Sequence, residues 1–256
     1  MTVAFRFHFE LNDFLPTAQR EVVFPYSFSG KPTVRDLIEA IGVPHSAVGL
    51  IEEDGQLVPP GYHVQEHDSI EVFPNRDIPK PIQFIADMHM GKLAKWLRML
   101  GFDTYYRREL HDPEIAERSA NEHRIVVTRD LGLLKRNQVQ LGYWVRSQNP
   151  EEQLVEVMKR YQLDVFMQPF TRCMTCNGLI EPVAKASVRD QLTDRIAQEL
   201  DEFFQCQQCA QVYWKGSHYD RMVGLVESLR GARKHDKKQA GHKGKSKGSS
   251  KKKKQA

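Results

Sequence analysis

The chain lacks any continuous run of about 18 apolar residues and any leader of the secretory kind, so neither a spanning helix nor export is expected and the expected location is cytoplasmic. It has no Walker-type glycine loop and no dinucleotide fingerprint, which removes the usual phosphate cradles of NTP hydrolysis and hydride transfer. A GxSxG elbow is also missing, and none of the four cysteines stands alone, so acyl-type covalent catalysis is not indicated. From Arg230 to the end there is no apolar residue larger than alanine. Such a segment cannot build a core, and residues 230–256 are expected to be a disordered basic tail.

Charge is unevenly placed. The formal total is +4, but the segment from Arg230 holds 12 Lys/Arg against one Asp, leaving 25 basic and 32 acidic residues in 1–229. The tail therefore reads as an arm for phosphates, binding without sequence preference and sensitive to salt. No amphipathic helix or lipidation motif suggests a membrane role.

What is present in the middle of the chain is a repeated handover from apolar strand to acid to helix. IQFIA runs into Asp87 and then into a helix pattern with Leu93, Trp96, Leu97 and Leu100 at one face and Gly101 as its stop. FDTYY is followed by a link, Asp112 and Pro113; RIVVT is followed by Arg129, Asp130 and LGLLKR. GYWVRS and a helix capped at Asn149–Pro150 complete the alternation, which implies a parallel sheet with helices on both faces. In such sheets ligands bind outside the carboxyl ends of the strands. Carboxylates converging there could hold Mg²⁺ or Mn²⁺ against a phosphodiester. Alternatively each Asp is an N-cap of the helix after it. Lys92, Arg98 and Arg129 are candidate phosphate contacts, whereas Lys95 reads as part of a solvated helix face.

All four cysteines form two CxxC pairs, Cys173/Cys176 and Cys206/Cys209, which is the donor count of one tetrahedral zinc. A structural Zn²⁺ is expected, since four thiolates leave no open position for catalysis. The 29 residues between the pairs exceed a plain ribbon, and SVRDQLTDRIAQELDEFF fits an inserted helix capped at Ser187 and Asp190. Tyr213, Trp214, Lys215 and Tyr219 suit stacking on an unpaired nucleotide, and they suit the core of a small ribbon equally. His218 is read as a surface or nucleic-acid contact.

The runs FIADMHMGKLAKWLRMLGFDTYY, RIVVTRDLGLLKR, FTRCMTCNGLIEPV and FFQCQQCAQVYWKGSHYDRM together resemble the C-terminal ribonuclease family of the mutator-seven exonuclease, over roughly residues 82 to 225. The resemblance implies a PIN-like nuclease carrying a zinc ribbon. It sets Asp87 and Asp130 on acidic positions of the PIN-like site, and Asp112 on the acid of a D-x-E-I helix start. A fourth acid stays open among Asp103, Glu109, Glu114 and Glu151, and with it the number of metals.

Residues 1–76 hold 5 basic and 11 acidic residues in a strand, strand, helix, strands pattern, with Thr33 and Asp36 as a capping box. This unit resembles the ubiquitin-like β-grasp domain fused to the same family. It ends VFPNRDIPKP without a free Gly-Gly, so sulfur-carrier chemistry is not expected, and an adaptor or docking role remains.

The expectation is an α/β protein in four parts. They are a ubiquitin-like β-grasp domain (1–76), a PIN-like nuclease domain (82–165), a zinc ribbon with inserted helix (166–229) and the tail (230–256). Asp87, Asp112 and Asp130 would be catalytic and bind Mg²⁺ or Mn²⁺. Substrate contacts would come from Arg129, Lys92, Arg98, Trp214, Lys215 and His218. The expected partner is RNA, with structured or ribosome-associated RNA as candidates, and a protein could dock on the ubiquitin-like face. The competing readings are a non-catalytic RNA-binding adaptor and a protein-recruiting module.

Overall fold

The computed structural model describes residues 1–243. The N-terminal unit comprises β1 (Thr2–Phe7), β2 (Phe24–Ser27), α1 (Val34–Ile41), β3 (Val48–Glu53), β4 (Gln56–Leu57) and β5 (Ser69–Pro74). Its sheet order is β2-β1-β5-β3-β4, with β1 and β5 parallel and every other pair antiparallel. Phe5, Phe7, Ile70 and Val72 from the sheet bury against Leu37 and Ile38 of α1, whose capping box is Thr33 with Asp36. The first strand ends sooner than the apolar run TVAFRFHFEL suggests. Phe9 takes a left-handed φ of 53°, and Phe9–Phe14 forms a 3-10 turn around the buried Asn12, whose amide donates to the Phe7 and Phe9 carbonyls.

The central unit alternates as its sequence implies: β6 (Gln83–Ala86), α2 (Gly91–Met99), β7 (Asp103–Tyr105), α3 (Asp112–Glu122), β8 (Ile125–Thr128), α4 (Leu131–Leu134), β9 (Gly142–Trp144) and α5 (Pro150–Arg160). All four strands are parallel in the order β7-β6-β8-β9. Alternate strand residues feed two cores. Phe84, Ala86, Ile125 and Val127 pack with Leu93 and Leu97 of α2 and with Leu154 and Val157 of α5. Ile85 and Val126 pack on the opposite face with Ile115 and Ala116 of α3 and Leu133 and Leu134 of α4. Gly101 ends α2 at φ +93°, and a Cβ there would meet the Gln168 carbonyl oxygen at 2.2 Å, so both conformation and space require glycine.

The third unit has β10 (Ile180–Val183), α6 (Lys185–Val188), α7 (Asp194–Glu199), β11 (Phe203–Cys206), β12 (Val212–Trp214) and α8 (Ser217–Lys243), its three strands forming an antiparallel sheet. The insertion is two short helices instead of one. Thr193 caps α7 by accepting from the Ile196 amide, whereas Ser187 lies inside α6 and donates to the Ala184 carbonyl. Val226 and Leu229 anchor α8 in the core of the parallel-sheet unit, and the helix runs into the first part of the expected tail. The remainder of the expected tail, 244–256, lies outside the described residues. Among the described residues no helix is long and apolar enough to cross a membrane.

Both edges of the parallel sheet are covered. At the β7 edge the Thr104 amide donates to Asn177 Oδ1 of the ribbon (3.0 Å). Beside β9 sits the N-terminal unit: Phe14 stacks on Trp144 at 5.2 Å, the buried Ser46 hydroxyl donates to the Leu134 carbonyl (2.8 Å), and Arg146 donates to Asp13 (2.6 Å). Arg160 Nε pairs with Glu10 at 3.0 Å on the same side.

Candidate active site and cysteine centre

Asp87 follows β6 and Asp130 follows β8 by two residues; the strands are adjacent and parallel, with Ala86 opposite Val127. Their link is Thr128, fully buried at the end of β8. Its hydroxyl donates to Asp87 Oδ2 and accepts the Asp130 backbone N–H (2.8 Å), which uses its single proton and one lone pair. Asp87 is 5% exposed, and its Oδ1 accepts from the His89 amide at 2.7 Å. Asp130 is exposed, with Oδ1 accepting from the Gly132 amide at 2.7 Å. Each carboxylate thus caps the helical turn after it while facing the carboxyl end of the sheet. Asp130 Oδ2 has no hydrogen bond among the described residues.

Asp112 is not gathered with both of them within 4.8 Å. It is the first residue of α3, where His111 holds the cap position, and its carboxylate faces Arg136 across 4.0 Å. Among the described residues, the set of three or more His, Cys, Asp or Glu whose ligand atoms come within 4.8 Å of one another is the four cysteines. Of the other acids, Asp103 is withdrawn at the amino end of β7. Its Oδ1 receives Arg124 (2.6 Å) and Asn177 (2.9 Å), and its Oδ2 faces Arg172 at 3.4 Å. Burial pushes this carboxyl up, but those donors outweigh burial and hold it below its ordinary value of 3.8.

The cations divide. Arg129 is exposed between Thr128 and Asp130, and Lys92 is exposed in the first turn of α2; neither has a hydrogen bond or ion pair among the described residues. Arg98 is a correction: it is 3% exposed and does not face a substrate. Its guanidinium donates to the carbonyls of Thr104, Tyr106, Met174 and Thr175. Five donors in a fixed fork suit a cluster of carbonyls, and here they clamp the first cysteine knuckle to the parallel-sheet unit. Tyr106 also went unnoticed in the sequence; its hydroxyl donates to the Met88 carbonyl (3.1 Å) and its ring fills the space beside Gly91.

The cysteine knuckles face each other, with Cys173 and Cys209 sulfurs 3.6 Å apart and those of Cys176 and Cys206 3.3 Å apart. None of the four forms a disulfide. The knuckles turn alike: the amides of Cys176 and Gln208 point at the sulfurs of Cys173 and Cys206, and Asn177 and Ala210 take left-handed φ. Burial pushes the Cys173 thiol up, but hydrogen bonds from the Tyr213 hydroxyl and nearby amides pull it down to about 6. For Cys176 burial and the neighbouring sulfurs both push up, to about 12. Four sulfurs this crowded can hold a metal ion, and a cation among them would make all four thiolates.

Around the ribbon, Tyr213 serves that sulfur cluster (3.1 Å to Cys173 Sγ), and Tyr219 packs on Phe170 at 4.7 Å. Trp214 is half-buried against the ribbon core. Lys215 pairs with Glu202 at 2.5 Å on the surface, and His218 is exposed in the first turn of α8.

Comparison with known families gives two matches: residues 82–226 fit the Mut7-C RNAse domain and residues 1–78 fit the Mut7-C ubiquitin. No curated protein and no solved structure matches the chain.

Proposed function

Because the chain belongs to the Mut7-C RNAse domain family and carries the Mut7-C ubiquitin-like domain before it, we propose that it is a metal-dependent ribonuclease that hydrolyses RNA phosphodiesters at the carboxyl edge of its parallel sheet. The observation that carries this reading is the Asp87–Thr128–Asp130 arrangement across two adjacent strand ends. Hard oxygen donors at neighbouring strand ends fit Mg²⁺ or Mn²⁺, which proteins commonly hold through one or two carboxylates, with waters and substrate phosphate as the other ligands. A divalent cation bound there would neutralise phosphate charge and lower the pKa of the attacking water. In this reading Asp87 is the fixed ligand, held by Thr128 and the His89 amide. Asp130 contributes its unbonded oxygen. Exposed Arg129 and Lys92 hold the phosphate from the two sides. Asp112, at the start of α3 beside Arg136, would act through a metal-bound water or on the RNA strand. The four cysteines would hold one structural Zn²⁺, which fixes the ribbon and leaves no coordination position for water.

A second reading has its own support: both aspartates are helix caps, so the chain could bind RNA without cutting it. Asp87→Asn and Asp130→Asn separate the two. Asn caps a helix about as well as Asp but lacks the charge to hold a divalent ion. Asp130→Asn is expected to keep its melting temperature, Asp87→Asn to melt somewhat lower because an amide nitrogen cannot accept from Thr128, and both to stay folded with zinc bound while losing Mg²⁺- or Mn²⁺-dependent cleavage of RNA by about a hundredfold or more. Cleavage unchanged in both would leave the adaptor as the function.

A further inference from the structure

The ribbon, α2 and α8 enclose an apolar cavity of about 100 Å³ lined by Met99, Met174, Phe204, Trp214, Tyr219 and Met222, with half-buried Arg172 and exposed Lys215 also on its wall. The geometry points to this cavity as the seat of a single unpaired nucleobase of the RNA strand, an anchor on the ribbon separate from the carboxylates. The inference rests on RNA being the substrate.

Three observations support that occupant. Aromatic walls with adaptable methionines accept any base by its π-face. The cavity also lies at the far end of α2 from the acids. Gly91 begins that helix against Tyr106, which bonds the Met88 carbonyl next to Asp87, and Met99 ends it in the cavity wall. Eight residue steps separate them, about 12 Å at about 1.5 Å per residue, a span of a few nucleotides. Finally, Lys92, Lys95 and Met99 are spaced i, i+3, i+7 and so share one face of α2. Both lysines are exposed without an ion pair among the described residues, which makes a positive path from acids to cavity.

The test is binding of a single-stranded adenosine 12-mer RNA and of a matching abasic 12-mer to the full chain, in buffer without added divalent cations so that cleavage plays no part. Wild type should prefer the base-bearing strand by about tenfold or more, as expected for one stacked base. Tyr219→Ala removes a wall and Met222→Trp fills the space; each should abolish the preference and leave abasic binding as it was. Melting temperature and zinc content identify a variant that fails to fold, and the other then decides. Equal wild-type affinity for the two strands overturns the proposal. So does a preference that survives Met222→Trp, which would place the recognised base elsewhere on the chain. Neither outcome bears on the Asp87 and Asp130 variants, whose readout is cleavage.

Discussion

Thr128→Val is the sharpest perturbation of the candidate site because it changes shape hardly at all and removes one hydroxyl that serves two aspartates. Valine cannot donate to Asp87 Oδ2 or accept the Asp130 amide. A hydrogen bond to a charged group contributes roughly 1.5–3 kcal/mol, and an orphaned polar group costs roughly 1–3 kcal/mol. Asp87 is 5% exposed, so water cannot readily replace the lost donor; Asp130 is exposed, so its share is the smaller. A destabilisation of about 2–4 kcal/mol follows. Activity should fall further than stability alone explains, by about 10- to 100-fold, the usual cost of removing a group that orients a metal ligand. Thr128→Ser, which keeps the donor and the acceptor, should recover most of it. The assay is cleavage of a labelled single-stranded RNA with saturating Mg²⁺ or Mn²⁺, at a temperature where each variant is folded. If Thr128→Val cuts as well as Thr128→Ser, the hydroxyl does not organise the carboxylates and the site as drawn is wrong.

As purified, the protein should contain one zinc per chain by elemental analysis, and Cys173→Ser should lose it and unfold the ribbon; four freely titrating thiols in native, zinc-free protein would refute this. Asp103→Asn removes one of the two carboxylates that hold the buried Arg124, Glu122 keeping the other, and should cost about 2 kcal/mol near neutral pH. Because the folded pKa of Asp103 is depressed, its contribution is present above the unfolded value of about 3.8 and is lost as pH falls through the folded one. The gap in melting temperature between wild type and Asp103→Asn should therefore narrow below about pH 4; a gap independent of pH would contradict the ion-pair account. Arg160→Met removes one of the two partners of Glu10, Arg76 being the other, and the donor to the Asn75 carbonyl, and should loosen the N-terminal unit by about 2 kcal/mol. Faster proteolysis between Pro74 and Pro81 would register it, and an unchanged cleavage rate would mean that the contact does not hold the unit in place.

The parts of this molecule legible in its sequence are those set by local rules. Periodicity located α2 and α5; Asn149, Thr33 and Gly101 marked helix ends because capping and left-handed φ depend on neighbours in the chain. CxxC spacing announced the sulfur cluster for the same reason. Arg98 was misjudged because helical spacing alone does not say which of Lys92, Lys95 and Arg98 is buried. That choice is made by the carbonyls of Met174 and Thr175, which return more than 70 residues later. Thr128 was overlooked although a Thr two residues before an Asp at a strand end is a readable signal: its hydroxyl can reach both that residue's amide and the neighbouring strand. The single helix expected after Val183 failed because Ser187 and Thr193 are both plausible caps, and packing of Val188 and Leu192 in the ribbon core selects the second.

Where the accessory units sit follows from the sheet. A four-stranded parallel sheet exposes unpaired amides and carbonyls on β7 and β9, and such edges invite unwanted pairing unless covered. Asn177 of the ribbon answers the Thr104 amide on one side, and on the other Phe14, Ser46 and Asp13 of the ubiquitin-like unit engage Trp144, Leu134 and Arg146. With α2 and α5 on one face and α3 and α4 on the other, the sheet's faces are covered as well. Its carboxyl end keeps solvent access, because Asp130 and Arg129 are exposed there while Asp87 is held beneath them. A ubiquitin-like fold used this way acts first as a wall of the parallel-sheet unit. Any partner that engaged its Asp13 or Ser46 surface would have to displace that wall, so docking there and a stable β9 edge exclude each other.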